Sequence, residues 1–439
     1  MDWMQILVVV FIILLGLMAL RYSVAFVFLS VTLGMFLVFM PGPSGFRMYA
    51  VSLMDSLNSF NYIAIAMFML MGDMLFRSGM AMRAINALEK MLGKVPGRLS
   101  VLAAVSGIIF AATSGSVMAN TAMLGTLLCP EMEKKGYHRR MIFGPIMGVS
   151  TLAMLIPPSA LAVLYASLAQ ISVGKVLIAG IVPGLMMGIL YIIYIANTAK
   201  KHPDWAPTEE SILLATAKEK VVGFFSDVLP LGGLIFLVIG TIIIGMATPS
   251  EAAALGALGA FLLCIYNKTL SLKLVNESAL ASLKTVGMVF AIIMGTVGFG
   301  QMLAFTGSIS GITKLVAGLN VPPIVIIILT QLVVLVLGLF IDVVPIMMMT
   351  IPIFLPVVIQ LGYDPIWFAC LNLVNMSMAN ITPPFGMVLF VMKGVAPKGT
   401  TINEVYASVM PFIIIDAAIL VFMIAFPAAV TWLPGVIYS

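Results

Sequence analysis

Two short runs, Ile156-Pro157-Pro158-Ser159 and Thr382-Pro383-Pro384-Phe385-Gly386, put prolines inside apolar stretches long enough to cross a membrane. Proline has no backbone N–H, so it frees the carbonyl about one turn earlier. Freed carbonyls beside a hydroxyl make an oxygen cage suited to a dehydrated Na⁺. The helix that resumes after each break begins with a partial positive charge, which suits an anion. Two more breaks fall near Thr113-Ser114-Gly115-Ser116 and Gly338-Leu339-Phe340-Ile341-Asp342, inside apolar runs too long for one crossing. Polar side chains gather at these places: Ser114, Ser116, Asn120, Thr121 and Ser159, then Asp342, Asn375, Ser377, Asn380 and Thr382. A single such break could be a mere kink with its hydroxyls satisfying local backbone; two hairpins and two breaks in register favour a site. Ser116, Asn120, Ser159, Asp342, Asn380 and Pro384 are the candidates for contact with a bound anion. Asp342 is the best-placed acid, because a carboxylate inside a membrane is costly and usually functional. Asp73, Asp227, Glu251 and Asp416 are expected near helix ends, solvated or paired.

One interval relates the breaks. Adding 226 to Pro130, Gly136, Tyr137, Pro157 and Pro158 gives Pro356, Gly362, Tyr363, Pro383 and Pro384, and Val95-Pro96 becomes Val321-Pro322. Interrupted apolar segments in matching places of two halves point to a transport site at the repeat interface.

The elements that must hold these residues are helices in a bilayer. The chain has 439 residues, 62% hydrophobic and 9% charged, with a mean hydropathy of +1.18, whereas a soluble domain carries about 25% charge. The spacing predicts helices at 3–20, 23–40 and 61–77, followed by an amphipathic interfacial arm at 80–93. A re-entrant hairpin at 97–130, a broken helix at 141–169 and a helix at 176–196 complete a first repeat over 1–196. A polar cytoplasmic linker spans 197–222. The second repeat, 223–439, repeats the order: helices at 229–246, 249–266 and 287–303, an arm at 306–319, a hairpin at 323–356, a broken helix at 366–392 and a helix at 405–429.

Positive charge orients the chain. With both termini periplasmic, only Arg47, Lys175 and Lys314 of the 22 basic residues fall outside. The first hairpin then enters from the cytoplasm, at a base rich in Lys94, Arg98, Lys134, Lys135, Arg139 and Arg140. The second, with no Lys or Arg between Val321 and Met392, enters from the other side, so the halves are inverted repeats. The acidic flank at Asp2 makes the first apolar run a retained helix rather than a cleaved signal.

Other chemistries find no support in the sequence. Cys129, Cys264 and Cys370 have no metal or redox spacing and are expected to be buried and inert. His138 and His202 fall in predicted cytoplasmic loops, which argues against a histidine proton relay. The 35 methionines read as adaptable apolar filler. No Walker motif, dinucleotide fingerprint or catalytic triad is present, so neither ATP hydrolysis nor another enzymatic activity is expected, and no nucleic-acid partner.

Several runs resemble the large membrane subunit of TRAP (tripartite ATP-independent periplasmic) transporters. They are Gly125-Thr126-Leu127-Leu128-Cys129-Pro130-Glu131-Met132, Leu155-Ile156-Pro157-Pro158-Ser159, residues 174–184, Gly338-Leu339-Phe340-Ile341-Asp342 and Thr382-Pro383-Pro384. The resemblance covers essentially the whole chain. It implies an all-α polytopic protein of the bacterial inner membrane, related to the ion-transporter type and working as an elevator. It also implies a secondary importer of a small organic anion, coupled to two or more Na⁺ ions. The partners it implies are a soluble periplasmic binding protein and a small four-helix membrane subunit, here expected as a separate chain. By the same resemblance one Na⁺ cage uses Ser114 with carbonyls of Ala153, Ile156 and Pro158, and its counterpart uses Gly338 with Ala379, Thr382 and Phe385. Ala153 and Ala379 stand where family members often have glycine; alanine serves as a carbonyl ligand but fits poorly at a positive φ. Two other readings are a stand-alone Na⁺/dicarboxylate carrier that needs no binding protein, and a membrane enzyme or channel.

Overall fold

Polar side chains cap the starts of several helices in this chain, α14, α15 and α21 among them. The computed structural model describes residues 2–93, 95–207 and 216–438, and at Ser114 the backbone only. Lys94 and positions 208–215 of the expected linker lie outside the described residues. The first half comprises α1 (Trp3–Ala19), α2 (Val24–Phe39), α3 (Pro43–Leu57), α4 (Asn61–Arg77), α5 (Met80–Leu92), α6 (Arg98–Ser114) and α7 (Val117–Lys134). It continues with α8 (Arg139–Thr151), α9 (Ala160–Leu168), α10 (Val173–Ala179) and α11 (Ile181–Lys201). The second half holds α12 (Ala217–Gly223), α13 (Leu229–Ile243), α14 (Pro249–Tyr266), α15 (Leu272–Phe305), α16 (Ser308–Gly318), α17 (Pro323–Gly338) and α18 (Val343–Gln360). It ends with α19 (Pro365–Ile381), α20 (Met387–Val395), α21 (Ile402–Ala425) and α22 (Ala428–Ile437).

Thr248 and Thr401 each close a capping box with the glutamate three residues on, starting α14 and α21. Ser271 caps α15 through Leu274 N at 3.1 Å. Among the described residues six helices are long and apolar enough to cross a membrane, and no strand occurs.

Several sequence expectations need correction. α3 was not foreseen, because Ser44, Arg47, Ser52, Asp55 and Ser56 dilute its apolar signal; it meets α4 at a 50° bend. The helix expected at 287–303 is part of α15, 34 residues long. Its amino-terminal half carries Lys273, Glu277 and Lys284, so helical propensity continues beyond the apolar window. The helix expected at 176–196 is two pieces, α10 and α11, meeting at Gly180. The linker is partly helical: α11 runs to Lys201, Pro203–Trp205 forms a 3₁₀ turn, and α12 leads through a π-turn into α13. The last helix ends at Ala425, and Pro427 starts a further helix, α22.

α15 packs against α2, α3 and α4, and α14 packs against α4. Thr32 on α2 donates to Gly295 O on α15 at 2.8 Å, an approach that a glycine allows. A second body forms where α8 meets α6, α7, α19 and α21, and where α19 meets α17, α18 and α20. Cys129, Cys264 and Cys370 are buried and unpaired.

Candidate functional site

Each hairpin turns on residues that suit a tight reversal. Gly115 takes the left-handed conformation (φ +58°) between α6 and α7. Ser116 then caps α7, accepting from Ala119 N at 3.3 Å. At the second tip Asp342 Oδ1 accepts from Val343 N at 2.8 Å to start α18. Asp342 is thus a helix cap, with its carboxylate at the positive end of the helix dipole.

The interrupted helices open where the prolines fall. α8 passes into a 3₁₀ turn, Leu152–Met154, before the Pro157-Pro158 pair, and both Pro-Pro bonds are cis. Ser159 is fully buried and closes the break from within. Its Oγ donates to Met154 O at 2.9 Å and accepts from Ala162 N at 3.3 Å, capping α9. In the second half Thr382 Oγ1 donates to Met378 O at 2.7 Å, which leaves its lone pairs facing away from that carbonyl. Ala379 O accepts Thr382 N, and Thr382 O accepts Gly386 N, both at 3.1 Å. These two carbonyls therefore keep one lone pair each for a further ligand. Ala153 and Ala379 both avoid the left-handed region, so alanine there carries no backbone strain.

Each tip meets its break. A Cβ on Gly115 would sit 3.7 Å from Ala160 Cβ, at the start of α9. At the second tip the approach is closer still: a Cβ on Gly338 would lie 2.3 Å from Ala379 Cβ. The rings of Phe340 and Phe385, from tip and break, stand 5.6 Å apart. Ser377 Oγ on α19 donates to Thr151 O on α8 at 3.3 Å, joining the two broken helices through positions 226 residues apart. The Ser114 side chain, expected in the first cage, lies outside the described residues.

A cavity of about 180 Å³ opens between the first hairpin and the helices packed beside it. Ser116, Ala119, Asn120 and Met123 line it from α7 and its cap; Gly72, Asp73 and Phe76 from α4; Ala281, Ser282 and Thr285 from α15. Asn120 Nδ2 donates to Gly107 O at 3.3 Å, which pins α7 to α6. Its Oδ1 and the Oγ of Ser282 are buried without hydrogen-bond partners. Among the described residues these orphaned groups set two unsatisfied polar atoms in an otherwise largely apolar cavity. Asp73 is engaged by Arg77 at 2.6 Å, and Arg77 also reaches Glu277 at 3.2 Å.

Of the six anion candidates, only Ser116 and Asn120 line this cavity. Ser159 and Asn380 are buried, while Asp342 and Pro384 sit at the second tip and break. Sequence reasoning missed Ser282 and Thr285, which α15 contributes from beyond the helix as expected. It also missed a buried amide network between α17 and α19. Asn375 Nδ2 donates to Gln331 O at 2.6 Å, Gln331 Nε2 to Asn372 Oδ1 at 3.4 Å, and Asn372 Nδ2 to Tyr165 Oη at 2.8 Å.

Of the four acids read as solvated or paired, three are confirmed by contacts and one is misplaced. Asp73 pairs with Arg77, Glu251 caps α14, and Asp227 accepts from Ser226 at 2.8 Å. Asp416 instead lies in the middle of α21, fully buried, with the Tyr191 hydroxyl donating to its Oδ1. Both histidines stack on Trp205, His138 at 4.6 Å and His202 at 4.4 Å between ring centroids. Partial burial, and then the neighbouring Arg140 guanidinium, hold His138 below the ordinary histidine value; Asp204 and Glu404 act against this.

Two helical hairpins set against two interrupted helices, with long apolar helices around them, define an all-helical membrane-protein fold. The solved YdaH transporter of Alcanivorax borkumensis shares it, with a TM-score of 0.64 at 14% identity over 90% of this chain and 91% of that one. MtrF of Neisseria gonorrhoeae shares it with a TM-score of 0.61 at 12% identity, covering 88% and 84%. Residues 11–429 match the family described as tripartite ATP-independent periplasmic transporter, DctM component, and the chain belongs to that family. It is 32% identical over 398 residues to the C4-dicarboxylate TRAP transporter large permease protein DctM of Pseudomonas aeruginosa, covering 90% of both. It is 30% identical over 382 residues to the isethionate TRAP transporter permease protein DctMQ of Oleidesulfovibrio alaskensis, 87% of this chain but 59% of that one. With the sialic acid TRAP transporter permease protein SiaT of Haemophilus influenzae the identity is 27%, over 88% and 61% of the two chains.

Proposed function

We propose that this chain is the permease of a Na⁺-driven importer for a small organic anion, a carboxylate, sugar acid or sulfonate. A soluble periplasmic binding protein delivers the anion, and a separate small membrane subunit stands beside the permease in the bacterial inner membrane. The observation that carries this reading is the abutment of each hairpin tip on an interrupted helix, Gly115 on Ala160 and Gly338 on Ala379. Such junctions offer backbone oxygens to a cation and helix starts to an anion in one place. Relatives named for C4-dicarboxylate, isethionate and sialic acid support an anionic substrate.

In this reading Ser114, Ala153, Ile156 and Pro158 hold one Na⁺, and Gly338, Ala379, Thr382 and Phe385 hold another. The anion occupies the cavity between Asn120 and Ser282. The hairpins and broken helices travel as an elevator against α1–α4 and α13–α15, with α5 and α16 as arms. The Ser377–Thr151 bond supports inverted halves, since equivalent positions of two such halves are expected to meet near the axis relating them. The contacts also respect the charge map. Arg77 pairs with Glu277, and Arg139 with Glu404, on the face assigned to the cytoplasm, while Lys175 stacks on Tyr438 on the other.

The test is uptake into proteoliposomes holding both membrane subunits, under an inward Na⁺ gradient, with and without the binding protein. Uptake should require both. Full transport without the binding protein would identify a stand-alone carrier instead. Ser114→Ala and Thr382→Ala should each lower Na⁺-dependent uptake at normal expression, and unchanged Na⁺ dependence in both would remove the assigned cages.

A further inference from the structure

Asp416 is the most deeply buried acid of the described chain and takes no part in the sites above. It sits midway along α21, with no exposed surface, where that helix packs on α8, α11, α19 and α20. Its Oδ1 accepts the hydroxyl of Tyr191 on α11, so the contact joins the first half to the second. Its Oδ2 has no partner. Tyr191 is itself fully buried, and its ring packs edge-on to Phe412, one turn before Asp416.

The charges on the surrounding helices are distant. Arg139 and Arg140 open α8, 12 and 11 residues before Thr151 at its far end. Lys200 and Lys201 close α11, nine and ten residues beyond Tyr191. Asp364 caps the start of α19, which also carries Cys370; Lys393 lies near the end of α20, and Glu404 in the first turn of α21 itself. Among the described residues no Lys, Arg or His is paired with Asp416. An ionised carboxylate there would be a buried charge whose only support is one neutral hydroxyl, which an apolar interior does not sustain. A carboxylic acid leaves just one O–H without an acceptor, a far smaller cost.

We propose that Asp416 is a proton-binding site: Oδ2 carries a proton at neutral pH, and the neutral acid accepts the Tyr191 hydrogen bond across the two halves. The ligand is a proton, since two carboxylate oxygens and a tyrosine hydroxyl offer too few donors for a metal ion.

The proton can be read in the resting protein, separately from whether Na⁺ drives transport. Infrared spectra of the full chain purified at neutral pH should contain a protonated-carboxyl C=O band that is lost in Asp416→Asn. Tyr191→Phe keeps the acid but removes its hydrogen bond, so the same band should shift to higher frequency. Absence of an Asp416-dependent band in the wild type, or a band insensitive to both substitutions, would overturn the proposal. Should Asp416→Asn fail to fold, the Tyr191→Phe shift alone decides.

Discussion

Adding one methyl group at Gly338 should reveal how closely the second tip must seat. In Gly338→Ala the new Cβ would fall 2.3 Å from the Cβ of Ala379. Carbon atoms rest at about 3.5 Å or more, so tip and α19 must part by about 1 Å. Both atoms are fixed directly to backbone, so no rotamer change relieves the contact. Overpacking of this kind costs about 1–3 kcal/mol. If that falls on the ion-bound arrangement, the Na⁺ concentration for half-maximal uptake rises about fivefold to a hundredfold. The assay is Na⁺-dependent uptake in proteoliposomes, with folding checked by size exclusion. Two controls isolate the cause. Gly338→Ala combined with Ala379→Gly removes the opposing Cβ and leaves Ala379 Cα at 3.7 Å, an ordinary contact, so Na⁺ dependence should recover. Gly394→Ala, with nothing within 4 Å of the new atom, should change nothing. Wild-type Na⁺ dependence in Gly338→Ala, or a double variant as impaired as the single one, would refute a tightly seated tip.

Two further outcomes are expected. Asn120→Leu or Ser282→Val removes a buried orphan group from the cavity, so the apparent KM for the anion should rise about tenfold or more; equal shifts in Na⁺ dependence would detach the cavity from the anion. His138 is held below the ordinary 6.5, so the folded state binds its proton more weakly than the unfolded chain does. Stability is therefore full above that value and is lost as pH falls below it. The thermal midpoint, followed by tryptophan fluorescence, should drop between about pH 7 and about pH 5, with a smaller drop in His138→Phe; equal slopes would place the titration elsewhere.

The turning points of the fold were legible because their chemistry is local. Pro157, Pro158, Pro383 and Pro384 announce the breaks, and Gly115, Ser116 and Asp342 announce the tips, without reference to any distant residue. What stayed hidden depends on partners far along the chain. Ser282 meets Asn120 across the cavity, and Gln331 meets Asn372 and Asn375, with no pattern in the intervening residues. α3 and the polar start of α15 escaped because an apolar window is not what makes them helical. Asp416 was misread for the same reason: a carboxyl in a long apolar run looks like an end until its tyrosine, 225 residues away, is found.

The Ser377–Thr151 bond has a consequence for descent. In a pair of identical chains, a residue touches its own copy only on the two-fold axis. If one ancestral half once paired with itself, this position met its twin there. It could hold neither lysine nor glutamate without setting like charges together. A small hydroxyl residue escapes that conflict, because it can donate on one side and accept on the other. Fusion of such a pair would free the copies to differ, and here Ser377 reaches across to Thr151 O, while Thr151 turns its own hydroxyl back to Gly148 O at 2.8 Å. If the halves descend from such a pair, this contact keeps the constraint of the axis, and the two different hydrogen bonds record the divergence that followed.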